Sequence, residues 1–426
     1  MRANLVAALI GVLCVSGCGG GSGGLADGGD GGGGGTGSNV QAVVVDSGPT
    51  PVATSNTPAV NTAYTTVTVC APGTTSNCQT IDHIQVDTGS SGLRILQEAL
   101  KITLPAAMDA SGQNLIAECV GFVDGSSWGS VRQADVKIGG ETALKQSVHI
   151  IGDTSYPVPA TCKGTTASPG LEDNVATFGA NGILGVAPFV SDCGPYCTSE
   201  PNNGTYYTCP TATNCGESVM AENLQVSNPV AAFATDNNGV IMQLPTVPVA
   251  GTASVSGTMI FGIGTQSNNG LGNATVFNLD SNGYLATRYG TSTLHTAFID
   301  SGSNAYYFPD NTLKNSAVCF TNKGFWCPIS GDLTLSATIL NPLNSGSKSV
   351  NFTVTNADKL FTNRNNIIAA TSGLAGDSTL FGDGTGGTIN GSDAFDWGLP
   401  FYYGKTVFVA IEGRNTAGGM GPFFAF

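Results

Sequence analysis

One short pattern occurs twice in this chain and constrains its fold more than any other feature. Residues 84–91 read Ile-Gln-Val-Asp-Thr-Gly-Ser-Ser, and residues 297–304 read Ala-Phe-Ile-Asp-Ser-Gly-Ser-Asn. Each is an apolar strand ending in Asp, followed by a hydroxyl residue, Gly and Ser. The aspartates, Asp87 and Asp300, stand 213 positions apart, about half of the 426-residue chain. A single Asp-(Thr/Ser)-Gly-Ser arises easily by chance. Two of them, one per half and each closing an apolar strand, read as an internal repeat.

Length and composition agree with two related units. The chain is too long for one ordinary core and long enough for two lobes of roughly 180 residues. We place these at 39–245 and 246–426. Short apolar runs alternate with turn clusters throughout, as in Thr65-Thr66-Val67-Thr68-Val69, Val131 to Ile138 and Thr406 to Ile411. With 60 Gly and abundant Thr and Val, this is the text of a mostly β protein. Helices are expected to be few: one beginning in Leu93–Leu100, another around Ser218–Leu224. Only 15 residues are Lys or Arg and the net charge is −14, which excludes nucleic acid as a partner.

The repeated residues suit one chemistry. Two carboxyls close together cannot both ionise, so one keeps a proton while its partner stays charged. The charged one can take a proton from water while the neutral one polarises a peptide carbonyl. Gly89 and Gly302 permit tight turns that bring backbone N–H groups to the carboxylates. The hydroxyls of Thr88, Ser90, Ser301 and Ser303 can hydrogen-bond the acids and lock the two loops together. Asp87 and Asp300 are therefore expected within hydrogen-bond reach of each other.

At these residues the chain resembles the pepsin family of aspartic peptidases. The likeness extends to Asn181-Gly182-Ile183-Leu184-Gly185-Val186-Ala187, to Ile260-Phe261-Gly262, and to Trp397-Gly398-Leu399-Pro400-Phe401-Tyr402-Tyr403 with the strand after it. It covers nearly all of residues 60–426, and the whole pattern is also similar to an uncharacterised family of bacterial lipoproteins. It implies a bilobal, pepsin-like fold with two β-rich lobes around a central cleft. It also implies a polypeptide substrate, catalysis by Asp87 and Asp300, no metal or organic cofactor, and a monomer. Residues Val120 to Gly140 lie where that family carries its flap. Phe122 stands in place of the flap tyrosine, Arg94 in place of that tyrosine's tryptophan partner, and Trp128 is a second flap candidate.

The first residues read as an export signal. Arg2 precedes the apolar run Leu5–Val15, and Val15-Ser16-Gly17-Cys18 resembles a lipobox, making Cys18 the lipid attachment point. Residues 1–18 form this signal, and 19–38, almost pure Gly, form a flexible tether. A lipid-anchored envelope protein follows, placed at the outer membrane because Gly19-Gly20 lacks an inner-membrane retention aspartate. Ten cysteines remain after Cys14 and Cys18, an even number that suits disulfides outside the cytosol. Short spacings pair Cys70 with Cys78, Cys119 with Cys162 and Cys319 with Cys327. Pairing among Cys193, Cys197, Cys209 and Cys215 stays open, with a zinc site as the rival reading of that cluster. For the whole chain one rival is a serine hydrolase at Gly125-Ser126-Ser127-Trp128-Gly129, but the residues that follow alternate like a strand rather than turning into a helix; the more serious rival is a pepsin-like body that binds or supports structure without cleaving. Gly382–Gly387 reads as a loop.

Overall fold

The computed structural model describes residues 39–55, 57–123, 125–162, 171–362, 368–381 and 390–426. Cys18, the tether and the 382–387 stretch lie outside these residues.

Period-two sequence forms strand wherever one face meets a core. Leu333–Leu340 and Ser347–Val354 pair antiparallel along their full length, and Ala337, Ile339, Val350, Phe352 and Val354 turn inward. Gly182–Val186 is instead buried at every position, as a strand covered on both faces must be. The described elements are mostly strand, and the longest helices, Asn311–Ser316 and Ala357–Thr362, have six residues each.

Two helix expectations need correction. Ser91–Leu96 is a strand between Gly182–Val186 and Glu141–Ile151. Pairing on both edges outweighs the modest helix preference of Leu and Arg. Around Ser218–Leu224 only the single 3-10 turn Glu222–Leu224 forms.

The strands make two large sheets. In the fifteen-stranded sheet, Ala63–Cys70 lies beside Cys78–Asp87 and also pairs with Ser126–Ile138 through Val69↔Val136. That second pairing closes part of the sheet into a barrel-like ring. Further along, Val40–Val45 pairs with Val255–Phe261, which pairs with Gly239–Leu244, which pairs with Lys405–Ala410. Strands from both ends of the chain thus share one sheet across residue 245. The seven-stranded sheet lies wholly within residues 285–376 and 394–397.

The sequence repeat is also a repeat of topology. Cys78–Asp87 runs parallel to Gly182–Val186, with Asp87 opposite Gly185, and the far edge of that strand takes Ser91–Leu96 antiparallel. Ser292–Ile299 runs parallel to Ala394–Trp397, with Ile299 opposite Trp397, and its far edge takes Tyr306–Tyr307 antiparallel. In each half the chain passes its aspartate, turns back, and later sends a third strand between the arms of the turn. One apolar cluster joins the halves, containing Val86 and Leu184 with Ile299 and Trp397.

Five disulfides fasten the described residues: Cys70–Cys78, Cys119–Cys162, Cys193–Cys197, Cys209–Cys215 and Cys319–Cys327. The open cluster therefore resolves into two short loops, with all four sulfurs engaged in bonds. Such density fits an oxidising compartment outside the cytosol. Among the described residues no helix is long and apolar enough to cross a membrane.

Gly185 shows how tightly the buried strand is held. A Cβ there would lie 2.6 Å from Ser90 O and 2.7 Å from the Ser91 carbonyl carbon, both backbone atoms of the Asp87 loop. Gly185→Ala should cost about 1–3 kcal/mol in urea unfolding. Gly216→Ala, where nothing lies within 4 Å, should leave the midpoint almost unchanged.

Candidate active site

The two Asp loops meet at the junction of the halves, and each grips the other through the same atoms. Ser301 N donates to Thr88 Oγ1 at 2.9 Å, and Thr88 N donates to Ser301 Oγ at 3.1 Å. Each hydroxyl then donates onward into the opposite strand, Thr88 Oγ1 to Ile299 O at 3.0 Å and Ser301 Oγ to Val86 O at 2.8 Å. Gln85 Nε2 adds a bond to Gly302 O at 2.9 Å, and the Tyr402 hydroxyl lies 2.7 Å from Thr88 Oγ1.

This grip brings Asp87 and Asp300 together in matching settings. Gly89 N–H donates to Asp87 Oδ1 and Gly302 N–H to Asp300 Oδ1, both at 2.7 Å. Ser90 Oγ donates to Asp87 Oδ2, and Ser303 Oγ to Asp300 Oδ2 at 2.9 Å. The glycine at 302 is required by space. A Cβ on Gly302 would stand 2.5 Å from Asp87 Oδ1 and 3.0 Å from Asp300 Oδ1.

Neither carboxyl touches solvent. Burial, the charge on Asp300 and a hydrogen bond to it push Asp87 well above the usual carboxylate range. Burial also raises Asp300, while bonds from Asp87, Gly302 N–H and Ser303 hold it back. Two like charges this close and this dry cannot both persist, so the geometry favours one proton held between the pair.

Residues from both halves also pack together around a hairpin turn. The strands Leu115–Gly121 and Ser126–Ile138 form a hairpin, and Phe122 in its turn packs edge-on against Phe178 at 5.8 Å. Val123 beside it packs against the second-half cluster of Phe298, Ala305 and Tyr307. Val60 joins that cluster as well. Asn61 donates to Asn304 O at 2.8 Å and to Thr371 O at 3.0 Å, and accepts from the Tyr403 hydroxyl. A groove lined by Gln243, Leu271, Lys348, Lys405 and Phe426 includes no residue of either Asp loop.

Other sequence candidates lie elsewhere. Trp128 faces away from Phe122, into a cluster with Tyr156, Tyr207 and the Cys119–Cys162 disulfide, and its Nε1 donates to Tyr156 O. Period-two alternation puts Cys119 and Trp128 on one hairpin face and Val120 on the other. Ser127 sits within a strand and donates to Glu172 O at 2.7 Å, so no nucleophile elbow forms. Of the histidines on the strands leading to the two aspartates, His83 contacts Asp46 and Asp82, and His295 is exposed beside Asp393.

Arg94 has a role its residue type alone does not disclose. It is fully buried, 2.7 Å from Glu118 on the hairpin and 2.8 Å from Asp192. Burial opposes the charge on Glu118, but Arg94 holds its carboxyl below the usual range. Burial pushes Asp192 upward, and His149 down to about 4. The hairpin root is thus tied to the strand after Asp87 by one neutralised ion pair. Sequence reading also missed Gln85, Asn61 and Asp396; only Asp396 carried a signal, a charge inside the apolar run Ala394–Trp397.

Ser301→Ala removes two of the four hydrogen bonds of the grip and leaves Thr88 N and Val86 O with lost partners. Denaturant unfolding should show a loss of about 1–3 kcal/mol.

No curated protein sequence matches the chain. A family model described as "Protein of unknown function (DUF3443)" matches residues 35–426, so both Asp loops and the bonds between them fall within the matched region, and the chain belongs to that family.

Proposed function

We propose that this protein is an aspartic-type endopeptidase that hydrolyses peptide bonds with a water activated between Asp87 and Asp300. The observation that carries this reading is a pair of fully buried carboxyls, each held by matching Gly N–H and Ser hydroxyl donors. Asp300, ionised, accepts a proton from water as it attacks the carbonyl carbon. Asp87, protonated, donates to the carbonyl oxygen. The grip holds the acids in register, and small misplacements of such groups are costly in rate.

The same reading makes the molecule bilobal and pepsin-like, with a central cleft and the hairpin carrying Phe122 as its flap. The repeated topology around each aspartate and the sheet shared between the halves support this. A peptide reaches the acids when the hairpin turn and the segment around Asn61 lift from the second half. The chain acts as a monomer with no metal or organic cofactor. It is held in the cell envelope, at the outer membrane, by lipid on Cys18 and the tether that follows.

A second reading is a pepsin-like body that binds without cleaving. The complete burial of both carboxyls favours it.

Acidic proteolysis assayed with and without the transition-state mimic pepstatin separates the two. Asp87→Asn and Asp300→Asn should each lower turnover by about 100- to 10,000-fold with folding retained. Activity should fall in acid as Asp300 gains a proton. It should fall again in alkali as Asp87 loses its own, at a pH well above an ordinary aspartate's because Asp87 is raised. Absence of cleavage across the acidic range, with pepstatin still bound, would establish the binding body instead. Cys18→Ser should move the protein from the membrane fraction to the soluble fraction.

A further inference from the structure

Away from the Asp loops, both large sheets contribute to one groove of about 650 Å³, within the usual size of a ligand site. The seven-stranded sheet lends it four residues in succession, Lys348, Ser349, Val350 and Asn351. The face of a strand would contribute only every second residue. Four in a row mark the edge of the strand as the border.

That edge is open. Ser347–Val354 is the terminal strand of its sheet and pairs only with Leu333–Leu340. About half of its backbone N–H and C=O groups face away from that partner. Among the described residues no backbone hydrogen bond carries them to another segment. An open edge eight residues long is a template for a further strand. Natural edges are often shielded by a lysine directed into water. Lys348 is instead turned onto Phe426, with its Nζ donating to Phe426 O at 2.7 Å and lying 4.5 Å from the ring centre.

Lys405, from the fifteen-stranded sheet, also lines the groove and is held in the same manner. Its Nζ donates to Phe401 O at 2.8 Å and lies 4.7 Å from that ring, and the Phe401 and Phe426 rings meet edge-on at 4.9 Å. Two ammonium groups thus ride on adjacent rings in a chain of net charge −14. Among the described residues neither has an Asp or Glu within ion-pair distance. A negative charge on Phe426 would offset one of them and leave the other. Burial and the Lys348 ammonium hold Lys405 below the usual lysine range. Each ammonium has three N–H donors, so donors remain for an acceptor in the groove.

An open backbone edge and spare positive charge in one groove fit a partner with an extended backbone and carboxylates. We propose that the groove binds an extended acidic segment of polypeptide, which adds as a strand to Ser347–Val354 and sets its carboxylates on Lys348 and Lys405. Side chains two apart on such a strand share a face at about 6–7 Å, so alternating acidic residues present a row of charge. The partner is separate from any peptide at the Asp pair, and nothing in the peptidase reading is needed for it.

The test uses the full-length protein and a fluorescein-labelled octapeptide of alternating Glu and Val, read by polarisation at low salt. The peptide should bind, and added salt should weaken it. Lys348→Gln and Lys405→Gln should each weaken binding by about 3- to 10-fold. Methylating every second peptide nitrogen, in either of the two phases, should abolish binding in one phase only, because alternate N–H groups face the protein strand. Hydrogen exchange at the amides of Ser347–Val354 should slow in the complex. Equal binding of a Lys/Val octapeptide, indifference to both methylated forms, or no binding at millimolar peptide overturns the proposal. It is also overturned if glutarate binds as tightly as the peptide, which makes this a small-anion site. A peptide displaced by pepstatin and indifferent to both lysines would lie at the Asp pair, and that too sinks the idea. Should a lysine variant not fold, the methylated peptides and the exchange rates decide.

Discussion

The reciprocal hydrogen bonds between Thr88 and Ser301 are the contact on which the rest of the site depends. Each residue offers its backbone N–H to the other's hydroxyl and passes its own proton into the opposite strand. With no solvent at the junction, none of these donors has water as an alternative, so losing one partner costs more than an exposed bond would. Two acids that repel one another are held side by side because the loops carrying them are bonded together. Energy for that comes from the surrounding core, where Val86, Leu184, Ile299 and Trp397 exclude water from both sides of the junction.

Burial then sets the charge state. Removing two carboxylates from water makes a second negative charge costly, which favours one proton held between them. Matching donors from Gly89 with Ser90 and from Gly302 with Ser303 would by themselves leave that proton equally placed. At matching positions on the strands beside the two loops stand Ile183 in the first half and Asp396 in the second, both buried. A similar economy appears at the hairpin root, where Arg94, Glu118, Asp192 and His149 are packed without solvent and carry one compensated ion pair. Breaking such a pair is costlier than never having built it.

Much of the fold was legible in the sequence. Alternating runs such as Leu333–Leu340 announced strands because one face of each meets core and the other water. Leu93–Leu100 misled because its residues are sound helix formers in isolation, and only the strands on both sides make it extended. Spacing alone suggested three of the disulfides, since Cys70 with Cys78 and Cys319 with Cys327 sit at turns that bring them together. The Cys193–Cys215 cluster offered several equivalent pairings, and backbone direction chose among them.

The sequence by itself determined the two Asp-(Thr/Ser)-Gly-Ser loops, their apolar lead-in strands and the mostly β character, because these depend on residue type and local periodicity. Tertiary structure alone decided which groups meet across more than two hundred residues: Thr88 with Ser301, Gln85 with Gly302, Asn61 with Asn304. Nothing in a local stretch encodes such partners. They are chosen by how two sheets close on a common core, and burial then turns ordinary side chains into groups with one permitted protonation state.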